Sequence, residues 1–320
     1  MTGETPEAAA TSGAATSDAA ASGAAASGAA ANNAATGPDA VAALLAALDL
    51  RQEDPDTFTG HSLPQLNGRV YGGQVLAQAV LAAGRTLDAD RLPHSMHGYF
   101  LRPGKLDEPI RFEIERMRDG RSFSARRCHA IQGGKPILSM IASFQEEQPG
   151  IEFAHDMPNV PEPDEVRSAH DELGVVDHPA AQFWVSQTAF DVRHIGGSLY
   201  LTPSELADGK QYVWLRARRR VDVDQFVHRA LLVYACDMIM LEPVLRRGGL
   251  SWRTEGLSMA SLDHAMWWHR DVDVNEWLLF AQYAPSAQGG RGLGAARVYS
   301  ADGRLVASMG QEGMVRVPDA

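Results

Sequence analysis

Between residues 230 and 241 the chain carries twelve residues, and eleven are apolar. The exception, Asp237, stands in the middle. The wider stretch, 224–247, reads DQFVHRALLVYACDMIMLEPVLRR. A helix that is apolar on every side must be enclosed by protein or by lipid. Twelve residues fall short of the ~20 that cross a bilayer. The stretch therefore predicts one helix over 224–247, buried in a core and most simply wrapped by a sheet. A carboxylate in such surroundings is costly unless it is paired, hydrogen-bonded or put to use.

With 320 residues the chain has room for about two domains of ~150 residues. A hydrophobic fraction of 45% supplies a substantial core. The net charge of -11 at pH 7 argues against nonspecific nucleic-acid binding. Two cysteines, Cys128 and Cys236, offer neither a disulfide framework nor metal-ligand spacing, and they suit small buried hydrophobes. No metal and no cofactor is expected. No charged start leads into an apolar run, so no signal peptide is expected. No run reaches transmembrane length, so stable membrane insertion is not expected either. A reducing, cytoplasmic compartment is the default.

Residues 1–38 are Ala, Ser, Gly and Thr almost throughout, with no aromatic until Phe58. Such a tail buries too little to offset its ordering entropy and is expected to be disordered. Residues 39–50 read as a first amphipathic helix, with Asp39 as N-cap. Gly72 and Gly73 open a second apolar helix without any acid. Strand-like segments follow at 95–101, 110–118, 122–131 and 136–144, separated by the turn signals Pro103-Gly104, Asp119-Gly120 and Gly133-Gly134. Residues 146–182 are rich in proline and acid and read as a surface linker.

The second half repeats the plan. Strand-like stretches at 183–193 and 212–221 precede the buried helix. Further ones follow at 257–269, 277–284, 293–300 and 305–315. Two echoes support a duplication. SMHGYFLR at 95–102 resembles DHAMWWHR at 263–270, and GKPILSM at 134–140 resembles GRLVASM at 303–309. One apolar helix followed by an antiparallel meander, twice over, is an α+β pattern. It is the plan of a double hot-dog, two curved sheets each around a central helix, with halves at 39–145 and 183–320.

The halves differ in polarity. Where the first reads SMIAS at 139–143, the second reads SMGQE at 308–312, so Gln311 stands where the first half has Ala142. Polar groups at core positions of one copy suggest one site per chain. A carboxylate, a hydroxyl and a carboxamide can together hold a water, with the carboxylate accepting its proton. Such a site suits attack on an activated acyl carbon such as a thioester. Equally, Asp237 could bond a neighbouring backbone group or pair with an arginine, and Gln311 could be a satisfied core amide.

Several long motifs carry a resemblance. They are GRVYGGQV at 68–75, HSMHGYFLRPG at 94–104, RDGRSFSARR at 118–127, YACD at 234–237, SLDHAMWWHR at 261–270, NEWL at 275–278 and ASMGQEG at 307–313. In this order they resemble the acyl-CoA thioesterase II family over about 40–145 and 183–317. The resemblance implies a double hot-dog that hydrolyses fatty acyl-CoA to free acid and CoA. It also implies a relay formed by Asp237, Ser261 and Gln311. Ser261 stands where many members carry Thr, Trp268 replaces a usual Phe, and Ala265 a Ser. The C-terminus lacks a peroxisomal Ser-Lys-Leu-type ending.

Other residues are weaker candidates. His97, Arg102, Trp267 and Trp268 could shape a substrate site, although the tryptophans also suit a core. Arg216, Arg218, Arg219 and Arg220 could meet CoA phosphates or form a solvated face. Asp263 and His264 could be an acid/base couple, but adjacent strand residues face opposite ways. A hot-dog enoyl-CoA hydratase or dehydratase would need such a His–Asp couple. A non-catalytic acyl-CoA-binding protein is the other alternative. A homo-oligomer is expected.

Overall fold

The computed structural model describes residues 39–87, 91–205 and 208–317, so the expected tail at 1–38 lies outside the described residues. The first half runs through α1 (Ala40–Leu48), β1 (Arg51–Asp54), β2 (Thr57–Gly60), α2 (Gly72–Gly84), β3 (Leu92–Phe100), β4 (Ile110–Asp119), β5 (Phe123–Gln132) and β6 (Lys135–Gln145). Asp39 caps α1, its carboxylate accepting from the N–H groups of Val41 and Ala42. A connecting segment follows with a 3-10 turn (Pro163–Glu165), α3 (Ala169–Gly174) and α4 (Pro179–Gln187). The second half comprises β7 (Phe190–Ile195), β8 (Lys210–Ala217), α5 (Gln225–Cys236), α6 (Glu242–Arg247), β9 (Ser258–Ser261), β10 (Asp263–Trp268), β11 (Leu278–Gln288), β12 (Arg291–Ser300) and β13 (Leu305–Arg316).

All the pairings between these strands are antiparallel and join them into one sheet, in the order β1-β2-β4-β5-β6-β3-β10-β13-β12-β11-β8-β7, with β9 added on β13. The centre of that order is the pair β3–β10, which runs from Tyr99↔Asp263 to Ser95↔Trp267. These are the two segments whose sequences echo each other. Outward from them the order mirrors itself, β6-β5-β4 on one side and β13-β12-β11 on the other. The two expected sheets are thus fused edge to edge, and no free edge remains between the halves. The outermost strand β1 is short, charged and exposed, which suits an edge.

α2 and α5 share the main core, and α2 is buried from Gly73 to Ala83. Its two polar residues there bond backbone groups of the segments that precede α2. Gln74 accepts from Leu63 N–H and donates to His61 C=O, and Gln78 donates to Ala47 C=O. On the outer face of the second half, Met157, Val160 and Val166 of the connecting segment cover Trp214, Leu279 and Tyr299.

Three expectations are corrected. The stretch 224–247 is two helices, because Pro243 lacks an N–H and its ring would clash with a carbonyl one turn back. The chain leaves α5 at Cys236 and turns before α6 begins. Residues 183–193 do not form one strand. Pro179 and His178 start α4, which takes up Phe183, and β7 begins at Phe190. The single strand expected at 257–269 is broken at Leu262 into β9 and β10.

Candidate active site

Asp237 is therefore not in the middle of a helix. It is the C-cap of α5, where the chain turns towards α6. That turn lies directly on β12. A Cβ at Gly294 would overlap the Met240 carbonyl oxygen, so only glycine allows the approach. Gly294 pairs with Gln311 on β13. The close approach thus brings the turn carrying Asp237 over the strand carrying Gln311.

Ser261 reaches the same place through a register shift. Its partner on β13 is Gly313, whereas the partner of Ala265 is Gly310. Four steps along β9–β10 are matched by three along β13, so one residue is extra, at the break at Leu262. An uninterrupted strand would put Ser261 and His264 on opposite faces. A bulge re-aims one of them, and both face the core here. The first half has a matching irregularity in β3, between Pro93 and Ser95.

The three groups meet at hydrogen-bond distance. Gln311 Nε2 donates to Asp237 Oδ1 at 2.7 Å and to Ser261 Oγ at 2.8 Å. Ser261 Oγ donates to the same Oδ1 at 3.2 Å. The other oxygen, Asp237 Oδ2, accepts the backbone N–H of Gly73 at 2.8 Å. α2 has no side-chain cap of its own. The acid of the second half fills that role at the positive end of a first-half helix. Gly73 permits this closeness, since a Cβ there would stand 2.6 Å from the Tyr234 carbonyl oxygen. Tyr71 Oη donates to that same carbonyl at 2.8 Å. Burial and then the nearby Asp237 push the Tyr71 phenol well up, so it stays protonated.

Behind Gln311 lies His264, fully buried, with Nδ1 2.6 Å from Gln311 Oε1. Its Nε2 is 3.3 Å from Cys236 Sγ. Burial lowers the His264 pKa, against raising effects from Gln311, Asp237 and Asp263. The Cys236 thiol is pushed well up by burial and then by Asp237, so it remains a thiol. Sequence reasoning weighed His264 only as a partner of Asp263. Strand alternation separates the two, and Asp263 instead bonds His97 Nε2 at 2.9 Å on the outer, more exposed side. The echo of 95–102 with 263–270 could have singled out His264, because it sets Met96 opposite it.

The weaker candidates fall elsewhere. Arg102 is exposed and donates to Pro136 C=O. Trp267 is exposed on the outer face. Trp268 is buried and lines a cavity of about 980 Å³ under the connecting segment, with Leu92, His94, Phe153, Arg229 and Arg304. That cavity does not include Asp237, Ser261 or Gln311 among its lining residues. None of His97, Arg102, Trp267 and Trp268 bonds the three. Arg216 lies over Trp277 at 4.3 Å, Arg218 donates to Val185 C=O, and Arg219 pairs with Asp39.

With this geometry in place, the likeness to known proteins is informative. Residues 61–145 match the acyl-CoA thioesterase N-terminal domain family, and residues 156–315 the acyl-CoA thioesterase C-terminal domain family. Acyl-CoA thioesterase 2 of Haemophilus influenzae is 34% identical over 282 residues, which are 87% of this chain and 98% of that protein. The crystal structure of an acyl-CoA thioesterase II, TesB2, from Mycobacterium marinum is similar with a TM-score of 0.71 at 37% identity, covering 86% of this chain and 99% of that one. A hot-dog-fold protein from Alicyclobacillus acidocaldarius shares the fold, with a TM-score of 0.71 at 22% identity over 86% of this chain and 98% of that one. The fold is a double hot-dog, and the chain belongs to the acyl-CoA thioesterase II family.

Proposed function

We propose that this chain hydrolyses fatty acyl-CoA to free acid and CoA, with Asp237 as general base. The observation that carries the reading is the set of donors fixed on that carboxylate by Gln311, Ser261 and Gly73. Each carboxylate oxygen has about two acceptor sites. Oδ1 takes Gln311 and Ser261, while Oδ2 takes Gly73 and keeps one site. Ser261 Oγ donates to Asp237, accepts from Gln311 and keeps one lone pair. A water that donates one proton to Oδ2 and the other to Ser261 Oγ turns its own lone pair outward. Both N–H groups of Gln311 are engaged, so its task is to lock the acid and the hydroxyl.

In the reaction the water oxygen forms a bond to the thioester carbonyl carbon as Asp237 takes its proton. The C–S bond then breaks, and the proton passes to the CoA sulfur. Carboxylic acid and thiol leave. A positioned base contributes typically about 100-fold or more.

The test is thiol release from acyl-CoAs of short to long chain, by wild type and Asp237→Asn. The expected result is release by wild type and a loss of kcat of at least ~100-fold in the variant, with its melting temperature kept. Activity near wild type in a folded variant would overturn the role of Asp237. A hydratase would instead consume the double bond of crotonyl-CoA, and a binding protein would retain the thioester intact. Against the hydratase stands the position of His97–Asp263, on the face away from Asp237.

We also propose a homo-oligomer, and the cytoplasm stays the compartment expected from the sequence. No described helix is long and apolar enough to cross a membrane. Tyr99, Ile141 and Trp267 are exposed on the outer face of β3, β6 and β10, where a second copy would cover them. Light scattering on the purified chain tests the assembly, and a monomer at working concentration refutes it.

A further inference from the structure

We propose that His264 is a positioning residue for this site: through Nδ1–H it fixes the Gln311 carboxamide so that both amide N–H groups face Asp237 and Ser261. The proposal rests on the reading of Asp237 as the base.

The donor count leaves one consistent arrangement. An ionised carboxylate only accepts, so the group of Gln311 that faces Asp237 Oδ1 at 2.7 Å must be the NH2. The carbonyl oxygen Oε1 then points at His264, and at 2.6 Å it requires a donor there. Nδ1 must therefore carry the proton. Burial, the main influence on His264, disfavours a second proton. Nε2 is left as an acceptor, facing the Cys236 thiol at 3.3 Å. That thiol also lies 3.1 Å from Val233 C=O. A chain from the last turn of α5, through His264, thus ends on the two groups that would hold the water.

The silent half supplies the second argument. Ala265 and Gly310 pair on β10–β13, and one step on His264 meets Gln311 side chain to side chain, while Met96 and Ala142 pair in the β3–β6 register. The echo of 95–102 with 263–270 and of SMIAS with SMGQE makes these the same two positions. Pro93 likewise stands where the second half has Ser261. Only one half carries an acid at the C-terminal end of its central helix, and that half has His, Gln and Ser where the other has Met, Ala and Pro. A histidine needed only for packing would have no reason to differ together with the others. Both halves use that position as fully buried core, so methionine there is compatible with the fold.

The experiment compares His264→Met, His264→Asn and His264→Gln by steady-state thiol release and thermal melting. Asparagine can place its N–H near the Nδ1 position, whereas glutamine carries its amide further, towards Nε2. Methionine should lower kcat about tenfold or more with KM nearly unchanged, because the lost hydrogen bond acts in the chemical step. Asparagine should recover most of that loss and glutamine should not. In a Gln311→Ala background, His264→Met should cost nothing further, since histidine acts only through the amide. Equal behaviour of Asn and Gln, a loss confined to KM, or additive losses would each overturn the proposal. If the methionine variant does not fold, the Asn–Gln contrast decides alone. The underlying reading fails separately: Asp237→Asn would then stay active, whatever position 264 does.

Discussion

The Asp237 carboxylate belongs to the second half of the chain, yet its Oδ2 accepts the backbone N–H of Gly73 in the first, at 2.8 Å. The candidate site is completed across the duplication. The half that lacks the polar side chains still supplies the helix end against which the acid is set.

A substitution at Gly73 should therefore act at a distance in sequence. Alanine in place of a helical glycine normally stabilises by about 0.5–1 kcal/mol. At position 73 the new methyl would press on the Tyr234 carbonyl and the Tyr71 ring. Gly73→Ala should lower kcat by about tenfold or more and bring no gain in melting temperature. Unchanged thiol release in this variant would mean that the α2 end does not hold Asp237.

Gln311→Leu should separate catalysis from binding. It removes the donors to Asp237 and Ser261 and leaves His264 Nδ1–H unpaired in the core. Leaving one buried donor unsatisfied costs about 1–3 kcal/mol, readable by denaturant titration. Turnover should fall well beyond tenfold while KM changes little. A variant as stable and as fast as wild type would contradict the network drawn around the amide.

Gly294 offers a test of the close approach itself. Gly294→Ala should force the Asp237–Leu241 turn off β12 and lower both stability, by about 1–3 kcal/mol, and activity. Gly174→Ala is the control, because a Cβ at that position meets nothing within 4 Å. Equal melting curves for the two variants would show that the turn has room to spare.

Acid should destabilise the protein through its histidines. His94, His264 and His269 all sit below the ordinary value of 6.5, chiefly through desolvation, although only His264 is fully buried, His94 being half-buried and His269 exposed. The unfolded chain takes up protons at a higher pH than the native one. The stability they contribute is complete above about pH 6.5 and is lost as the pH falls towards the native values. The melting temperature should drop between about pH 7 and pH 5, and less steeply in His264→Asn. Superimposable curves would rule out a contribution from that side chain.

Much of the architecture was legible in the chain because duplication leaves signals of two kinds. The repeated helix-then-meander plan marked the halves, and the SMIAS/SMGQE contrast pointed to Gln311. The break at Cys236 was hidden by the continuous apolar run through Met238 to Leu241, although Pro243 carried the steric reason for it. Ser261 could not be aimed from alternation, since the shift near Leu262 depends on pairing with β13. The link from Asp237 to Gly73 is a packing result between segments 164 positions apart, and neither local pattern contains it.

The extra residue near Leu262 has a further consequence. Side-chain direction along a strand is a matter of parity, and an insertion there changes odd to even. A second residue inserted beside Leu262, with the bulge still taking up only one, would move Ser261 one step along β13 and turn its hydroxyl to the outside. Backbone pairing would survive, and the acid would lose a neighbour without any polar residue having been mutated. A one-residue insertion at this spot is thus a route by which either copy of a duplicated hot-dog can fall silent while remaining a sound scaffold.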